Sequence, residues 1–254
     1  MEDILGIKPI GKAVDKVAGA TIDAAKVFLG TVCKPALEEF GLMLSDKIRY
    51  WRYCNISKML VKAKGKIEFA NDKLTLTANP KVALNIMDYS SMEDDETLQD
   101  MWAGLFASTC TKDGKDDSNM IYVDMLKRLS RVEAKILQYA CLHATIQLYP
   151  NELIIGSKFM VSFDEIAKIA ETSDKYIIDG CLDHLIKIGL LRSTTFETIS
   201  GFDAADKTLE AGITPSGLGL SLFYKASGSP LSMLDFYKDH MVIIKKNEQE
   251  EQKS

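Results

Sequence analysis

The chain has 254 residues, of which 46% are hydrophobic and 26% are charged, so it can bury a sizeable core and is not a disordered protein. Its five cysteines are odd in number and well separated. This pattern excludes a disulfide framework and a CxxC metal site, and it is typical of a reducing cytoplasm. We therefore expect a cytoplasmic protein.

The net charge of −5 is unevenly distributed along the chain. Up to Lys66 there are 12 Lys and Arg against 7 Asp and Glu, whereas the remainder carries 19 against 29. Three interpretations of the basic part stay open. It contacts an anionic membrane, it contacts nucleic acid, or it docks on the acidic remainder of its own chain or of a second copy.

Residues 4–44 are predicted to be helical, because apolar residues recur there at spacings of three and four. Pro35 stops or kinks this helix. The segment has no signal-peptide pattern and no run of about 20 apolar residues, so no transmembrane span is expected. Residues 1–44 form either an element of a helical hairpin or bundle, or an amphipathic helix that lies peripherally on a membrane.

The next stretch, "KIRYWRYCNISKMLVKAKGK" (residues 47–66), holds seven positive charges, three large aromatics and no acid. Helical spacing places Trp51 in the apolar half, with Met59 and Leu60, which predicts that the aromatics are packing anchors. We expect Arg49 and Arg52 to pair with acids of the following region. A polyanion site is the alternative. The candidates for binding a partner or a polyanion are Arg49, Trp51, Arg52, Lys58 and Lys62.

A loop marked by Asn79 and Pro80 precedes "VALNIMDYSSMEDDETLQDMWAGLFASTC". Ser90 or Ser91 is predicted to cap a helix, with Glu93 or Asp94 in capping-box position. The acids at residues 93–96 then lie in a first helical turn, where the helix dipole favours them. Adjacent positions on a helix diverge, so these acids do not predict a metal site. No metal ligand and no cofactor is expected anywhere in the chain.

A capping box from Ser130 to Glu133 splits the following helical stretch in two, and this all-α part ends near Pro150. Ser162 and Glu165 then cap a helix, which is followed by a short turn and a second helix whose apolar face includes Tyr176 and Leu182. Gly189 closes that helix in a left-handed conformation. The segments "LLRSTTFETIS" and "LEAGITPSGLGLSLFYKA" predict two strands joined by a wing.

The predicted fold class is mainly α, with an N-terminal helical bundle or hairpin followed by a C-terminal winged-helix-like α+β module. The predicted domains are a helical domain at 1–150, a winged-helix-like domain at 151–240 and a polar, disordered tail at 241–254. Between Leu153 and Lys225 there are 7 Lys and Arg against 10 Asp and Glu. This charge opposes DNA binding and favours a structural or protein-binding module.

Catalytic patterns are weak in this sequence. There is no phosphate loop, no HExxH and no nucleophile signature near His143, His184 or His240. Cys181 and His184 lie at helical spacing, but one such pair on one helix is typical of packing. We predict no catalytic residue and a protein that is not an enzyme. A catalytic site made of residues that are distant in sequence stays open as the alternative.

Together, "NPKVALNIMDYSSMEDDETLQDMWAGLFAST", "LKRLSRVEAKILQYA" and "GITPSGLGL" resemble the Abi-alpha family of bacterial abortive infection proteins. The residues that carry the resemblance are Pro80, Glu93, Asp94, Asp95, Leu98, Trp102, Leu105, Ser130, Glu133, Ala134, Thr214, Pro215 and Gly217. The resemblance implies phage defence and transfers no catalytic residue. We expect a defence-associated protein that binds itself, another protein or a membrane surface. The alternative is a nucleic-acid-binding winged-helix regulator that uses the face at Lys47 to Lys66.

Overall fold

The computed structural model describes residues 12–33, 47–70, 76–193, 196–198 and 209–243. Its α-helices are α1 (Lys12–Val32), α2 (Lys47–Ala70), α3 (Pro80–Ser90), α4 (Glu96–Thr109), α5 (Met120–Leu126), α6 (Arg131–His143), α7 (Phe163–Ala170), α8 (Lys175–Lys187), α9 (Gly217–Ser227) and α10 (Met233–Tyr237). Its strands are β1 (Thr77–Ala78), β2 (Cys110–Thr111), β3 (Ile146–Leu148), β4 (Ile154–Gly156), β5 (Phe159–Ser162), β6 (Leu191–Ser193), β7 (Phe196–Thr198), β8 (Leu209–Pro215) and β9 (Met241–Ile243). The predicted mainly α fold class with an α+β C-terminal part is confirmed.

By contacts, the chain divides into two compact units, Met1–Val123 and Asp124–Ser254. The sequence placed the division near residue 150 instead. The reason for the difference is α6, which packs against α7, α8 and α9 and so belongs with the C-terminal elements.

Helix α1 lies within the predicted helix at 4–44. Its buried side chains are Ala25, Phe28, Leu29 and Val32, which recur at the predicted spacing. The rest of that prediction, including Pro35, lies outside the described residues. A search of the described helices finds none with both the length and the apolar character needed to cross a membrane.

Helix α2 packs against both α1 and α4, so it is buried over a wide arc. The fully buried residues on this arc are Tyr53, Ile56, Met59, Leu60 and Ala63. At about 100° per residue, Trp51 lies on the opposite side of the helix. Its side chain is 41% exposed. The prediction that the aromatics are packing anchors is therefore confirmed for Tyr53 and wrong for Trp51, because the buried arc is centred on Ile56 and Ala63.

Helix α4 is capped by Asp95, not by Ser90 or Ser91. The Asp95 side chain accepts hydrogen bonds from the backbone of Thr97 and Leu98. Ser90 is the last residue of α3, a separate helix that starts at Pro80 and is capped by Asn79. The sequence contains several possible cap residues in succession. The cap in the structure is the one nearest to the regularly spaced apolar residues of α4.

The predicted capping box of Ser130 and Glu133 is confirmed at the start of α6. Ser162 caps α7 through the backbone of Glu165, as predicted. Gly189 follows α8 with a φ of 79°, which confirms the left-handed closure. Tyr176, which the sequence placed on the apolar face of α8, is 89% exposed, because the buried face consists of Ile178, Leu182 and Leu185.

Strand β8 pairs antiparallel with β5, β6 and β7. The helix, turn and helix formed by α7 and α8 thus precede antiparallel strands, in the order predicted. The strand predicted over "LEAGITPSGLGLSLFYKA" is wrong in its second half, because β8 ends at Pro215 and Ser216 caps helix α9 immediately afterwards. A second sheet has the order β4-β3-β9, with β3 and β9 parallel. Strand β9 occupies the start of the predicted tail, and residues 244–254 lie outside the described part.

Candidate interaction surfaces

Arg52 links α2 to the end of α3. Its Nη2 lies 2.6 Å from Asp88 Oδ1, and its Nε donates to Ser91 Oγ at 2.8 Å. The buried side chain of Asn55, one turn further along, donates to the carbonyl of Ser91 at 3.1 Å. Two fixed acceptors hold the guanidinium plane in one orientation. The prediction that Arg52 pairs with an acid of the following region is confirmed.

Two lysines continue this contact between α2 and α4. Lys62 Nζ lies 2.5 Å from Glu96 Oε1, and Lys66 Nζ lies 3.1 Å from Asp100 Oδ2. Both partners advance by four residues, so α2 and α4 run in the same direction and keep register over a full turn. Exposed pairs of this kind contribute about 0–1 kcal/mol each, so this ladder of Arg52, Lys62 and Lys66 mainly fixes the register of the helices.

The other candidate residues on α2 are exposed. Trp51 is 41% exposed, and Arg49 and Lys58 are also exposed. Lys58 forms no ion pair with any residue that the structure describes. The five predicted partner residues therefore have different environments on one helix. Arg52 and Lys62 contact acids of α3 and α4, Trp51 and Lys58 lie together on the solvent side, and Arg49 is exposed near the start of the helix, in line with Ile56.

Most of the residues that carry the family resemblance start a helix, cap a helix or pack in the core. Pro80 is the first residue of α3, and the carboxylate of Glu93 accepts a hydrogen bond from the backbone of Asp95. Asp94 is exposed, and burial raises the pKa of Glu93 above its ordinary value. Trp102 is 2% exposed on α4.

The C-terminal residues of this set lie where β8 gives way to α9. Thr214 is paired with Ser193 and Pro215 with Leu191 in the sheet. A Cβ added to Gly156 would lie 2.4 Å from Pro215 Cγ, so β4 needs glycine at this close approach. Gly217 is the first residue of α9.

Sequence reasoning did not find the hydrogen bond between Glu133 and His184. Glu133 is 4% exposed, and its Oε2 accepts from the backbone N–H of Ser130 at 2.7 Å as part of the capping box. Its Oε1 is hydrogen-bonded to His184 Nδ1 on α8. A carboxylate that serves as a helix cap is thus also the partner of an imidazole 51 positions away. The spacing gave no signal for this pair, because it depends on how α6 and α8 pack.

Cys181 lies on the same helix as His184 and is half-buried. Burial, and then the negative charge of Glu133, raise the pKa of the Cys181 thiol above its ordinary value. A hydrogen bond with Ser130 acts in the opposite direction but does not reverse the shift. The thiol is therefore protonated at neutral pH, which is the reverse of what an activated nucleophile needs.

We expect iodoacetamide at pH 7 to alkylate Cys181 more slowly than free cysteine. Glu133→Gln should increase the rate, because it removes the charge that disfavours the thiolate. Peptide mass spectrometry locates the label, and Cys181→Ser is the control for assignment. Labelling of Cys181 faster than free cysteine would contradict this prediction.

The outward side of α8 is acidic and partly apolar. We call Tyr176, Asp179, Gly180 and Asp183 the α8 face, because helical spacing places them together opposite the buried Ile178, Leu182 and Leu185. All four are exposed. In helix-turn-helix proteins that bind DNA, the second helix enters the major groove. Here the second helix, α8, carries two carboxylates, those of Asp179 and Asp183, on its exposed side.

Within the described residues, no three His, Cys, Asp or Glu side chains are grouped so that they could hold a metal ion. Searches of curated proteins and of solved structures returned no match. A family model described as abortive infection alpha matches residues 55–223 of the 254. The matched range runs from α2 into α9 and contains the α8 face and, of the ladder, Lys62 and Lys66. The chain therefore belongs to the abortive infection alpha family.

Proposed function

We propose that this protein takes part in bacterial defence against phage by abortive infection, and that it acts by binding another protein and not by catalysis. Membership of the family supports the defence role. The observation that carries the mode of action is the acidic α8 face, which is exposed on the helix-turn-helix of the second unit.

Electrostatics favour a protein partner over nucleic acid at this helix-turn-helix. Phosphate binding requires several cations on one face, and their engagement releases counterions. Residues 163–187 carry six acids and three lysines. The side chain of Lys175 lies 5.5 Å from the ring centroid of Phe163. A phosphate backbone approaching α8 would meet Asp179 and Asp183, so the charge is wrong for DNA and suited to a cationic protein surface.

A nucleic-acid-binding role for α2 is the second candidate, and one observation favours it. Trp51 and Lys58 lie on the solvent side of the helix, where an aromatic ring and a cation are able to engage a single strand. Against it, the ladder directs Arg52, Lys62 and Lys66 toward acids of the same unit. Few cations are then left for phosphates.

The defence role is tested by challenging cells that express the chain with a panel of phages, with empty-vector cells as control. We expect a reduced phage yield without survival of the infected cells. Unchanged yield for every phage of a broad panel would overturn the defence role.

The mode of action is tested with purified protein titrated against duplex and single-stranded DNA and anionic vesicles over a range of salt. We expect no binding to any of them. Salt-dependent DNA binding that is lost in the double variant Trp51→Ala, Lys58→Glu would establish the second candidate instead. Vesicle binding would replace the protein partner with a membrane surface.

A further inference from the structure

The α8 face has a large aromatic side chain that the fold does not bury. Tyr176 is 89% exposed in the first turn of α8, and the next residue, Ile177, is 49% exposed. Tyrosine is enriched at the centres of protein interfaces, because it provides a large rigid contact area at low entropic cost. A side chain that is this exposed contributes little to the stability of the fold.

Gly180 lies one turn after Tyr176 on the same face. A Cβ added at this position would meet no atom within 4 Å, so no packing within the chain requires glycine here. Glycine in the interior of a helix weakens it relative to alanine. A missing side chain beside an exposed tyrosine leaves a shallow gap, into which a partner can bring its backbone or an apolar side chain.

The carboxylates nearest to this gap are Asp179 and Asp183, and the exposed Lys187 lies one turn after Asp183 on the same side of α8. Neither Asp179 nor Asp183 forms an ion pair with any residue that the structure describes. Glu165 of α7 and Glu171, the residue that follows α7, are engaged elsewhere, since Glu165 accepts a hydrogen bond from Tyr139 and Glu171 pairs with Lys135. The remaining charged residues of the two helices and their turn are Asp164, Lys168, Asp174, Lys175 and Lys187.

We infer that the α8 face binds a cationic amphipathic segment of another protein, with an apolar side chain against Tyr176 and Gly180 and lysines or arginines at Asp179 and Asp183. This inference rests on the proposed function and names the chemical class of the partner. Charge complementarity selects this occupant, because carboxylates that lack a partner in the described chain gain most from guanidinium or ammonium groups. The tyrosine adds a cation–π partner for the same groups.

The test uses full-length protein and a fluorescent synthetic peptide in which leucine and lysine alternate at helical spacing. A peptide with glutamate in place of lysine, and duplex DNA, are the comparison probes. Fluorescence anisotropy is expected to show binding of the lysine peptide alone. Equal binding of the glutamate peptide, or preferential binding of DNA, would overturn the inference.

Variants then locate the binding site. Asp179→Lys with Asp183→Lys should weaken binding of the lysine peptide by about tenfold or more, and Tyr176→Ala by about tenfold, the usual effect of removing an interface anchor. The matched control is Asp94→Lys with Asp239→Lys, which makes the same change in net charge at two other exposed acids. If this control weakens binding equally, only net charge matters and the assigned face is wrong.

Gly180→Leu separates binding from folding. Leucine is a better helix former than glycine and meets open space, so the melting temperature should hold or rise while peptide affinity falls by about tenfold. Gly65→Leu on α2 is the control, because it is also exposed with no atom within 4 Å of an added Cβ. Unchanged affinity in Gly180→Leu would contradict the close approach.

The peptide assay is independent of phage protection, so the two proposals fail separately. Wild-type protein that does not protect cells but binds the peptide at the α8 face would overturn the defence role alone. Protein that protects cells but binds no cationic peptide would overturn this inference alone.

Discussion

Replacing Trp102 with alanine is expected to lower the free energy of unfolding by about 3–5 kcal/mol. The indole is 2% exposed on α4 and stacks on Tyr89 of α3, with ring centroids 6.3 Å apart. The substitution removes this apolar burial and leaves a cavity in a region that α2 also covers. Denaturant unfolding followed by circular dichroism measures the loss.

Trp51→Ala is the matched control, because Trp51 and Trp102 are the two tryptophans of the chain. Its ring is 41% exposed, so we expect a loss below about 1 kcal/mol. Fluorescence gives an independent measurement on native protein. Trp51→Ala leaves the buried indole and should shift the emission to shorter wavelength, and Trp102→Ala should shift it to longer wavelength. Equal stability losses in the two variants would contradict the placement of these rings.

Glu133→Ala is expected to destabilise the second unit by about 2–4 kcal/mol. The substitution removes the acceptor for the Ser130 backbone N–H, which opens the capping box at the start of α6. It also removes the carboxylate that His184 contacts from α8. One substitution therefore breaks both a helix cap and a link between two helices.

Glu133→Gln separates these two effects, because glutamine can also close a capping box. We expect it to retain the cap and lose the charge-assisted contact with His184, for a smaller loss of about 1–2 kcal/mol. A double-mutant cycle of Glu133→Gln with His184→Ala should give a coupling energy of about 1 kcal/mol or more. Additive effects would show that the imidazole does not contribute through this carboxylate.

Local signals along the sequence predicted several of the helices and two of the caps correctly, but not helices α3 and α9. The Ser130 and Glu133 capping box and the Ser162 cap could be predicted from the sequence, because each depends on residues three positions apart. The cap of α4 was misplaced because Ser90, Ser91 and Asp95 are all good cap residues, and only packing decides among them. Pro215 followed by Ser216 marks a strand end and a helix cap, which the strand prediction overlooked.

The orientation of the two aromatic residues was not predictable from periodicity. Helical spacing led the sequence analysis to place both Trp51 and Tyr176 on a buried face. Helix α2 is covered on two sides, which moved its buried arc away from Trp51. In α8 the buried face is formed by Ile178, Leu182 and Leu185, without Tyr176. The contact between Glu133 and His184 depends on tertiary packing alone and left no local pattern.

Phage yield in cells that carry surface variants tests the central claim most directly, namely that the α8 face is the working surface. We predict that Asp179→Lys with Asp183→Lys abolishes protection at unchanged expression, whereas Asp94→Lys with Asp239→Lys and Trp51→Ala with Lys58→Glu retain it. Full protection by the α8 variant, together with loss of protection in the Trp51 and Lys58 variant, would contradict the claim and make α2 the working surface.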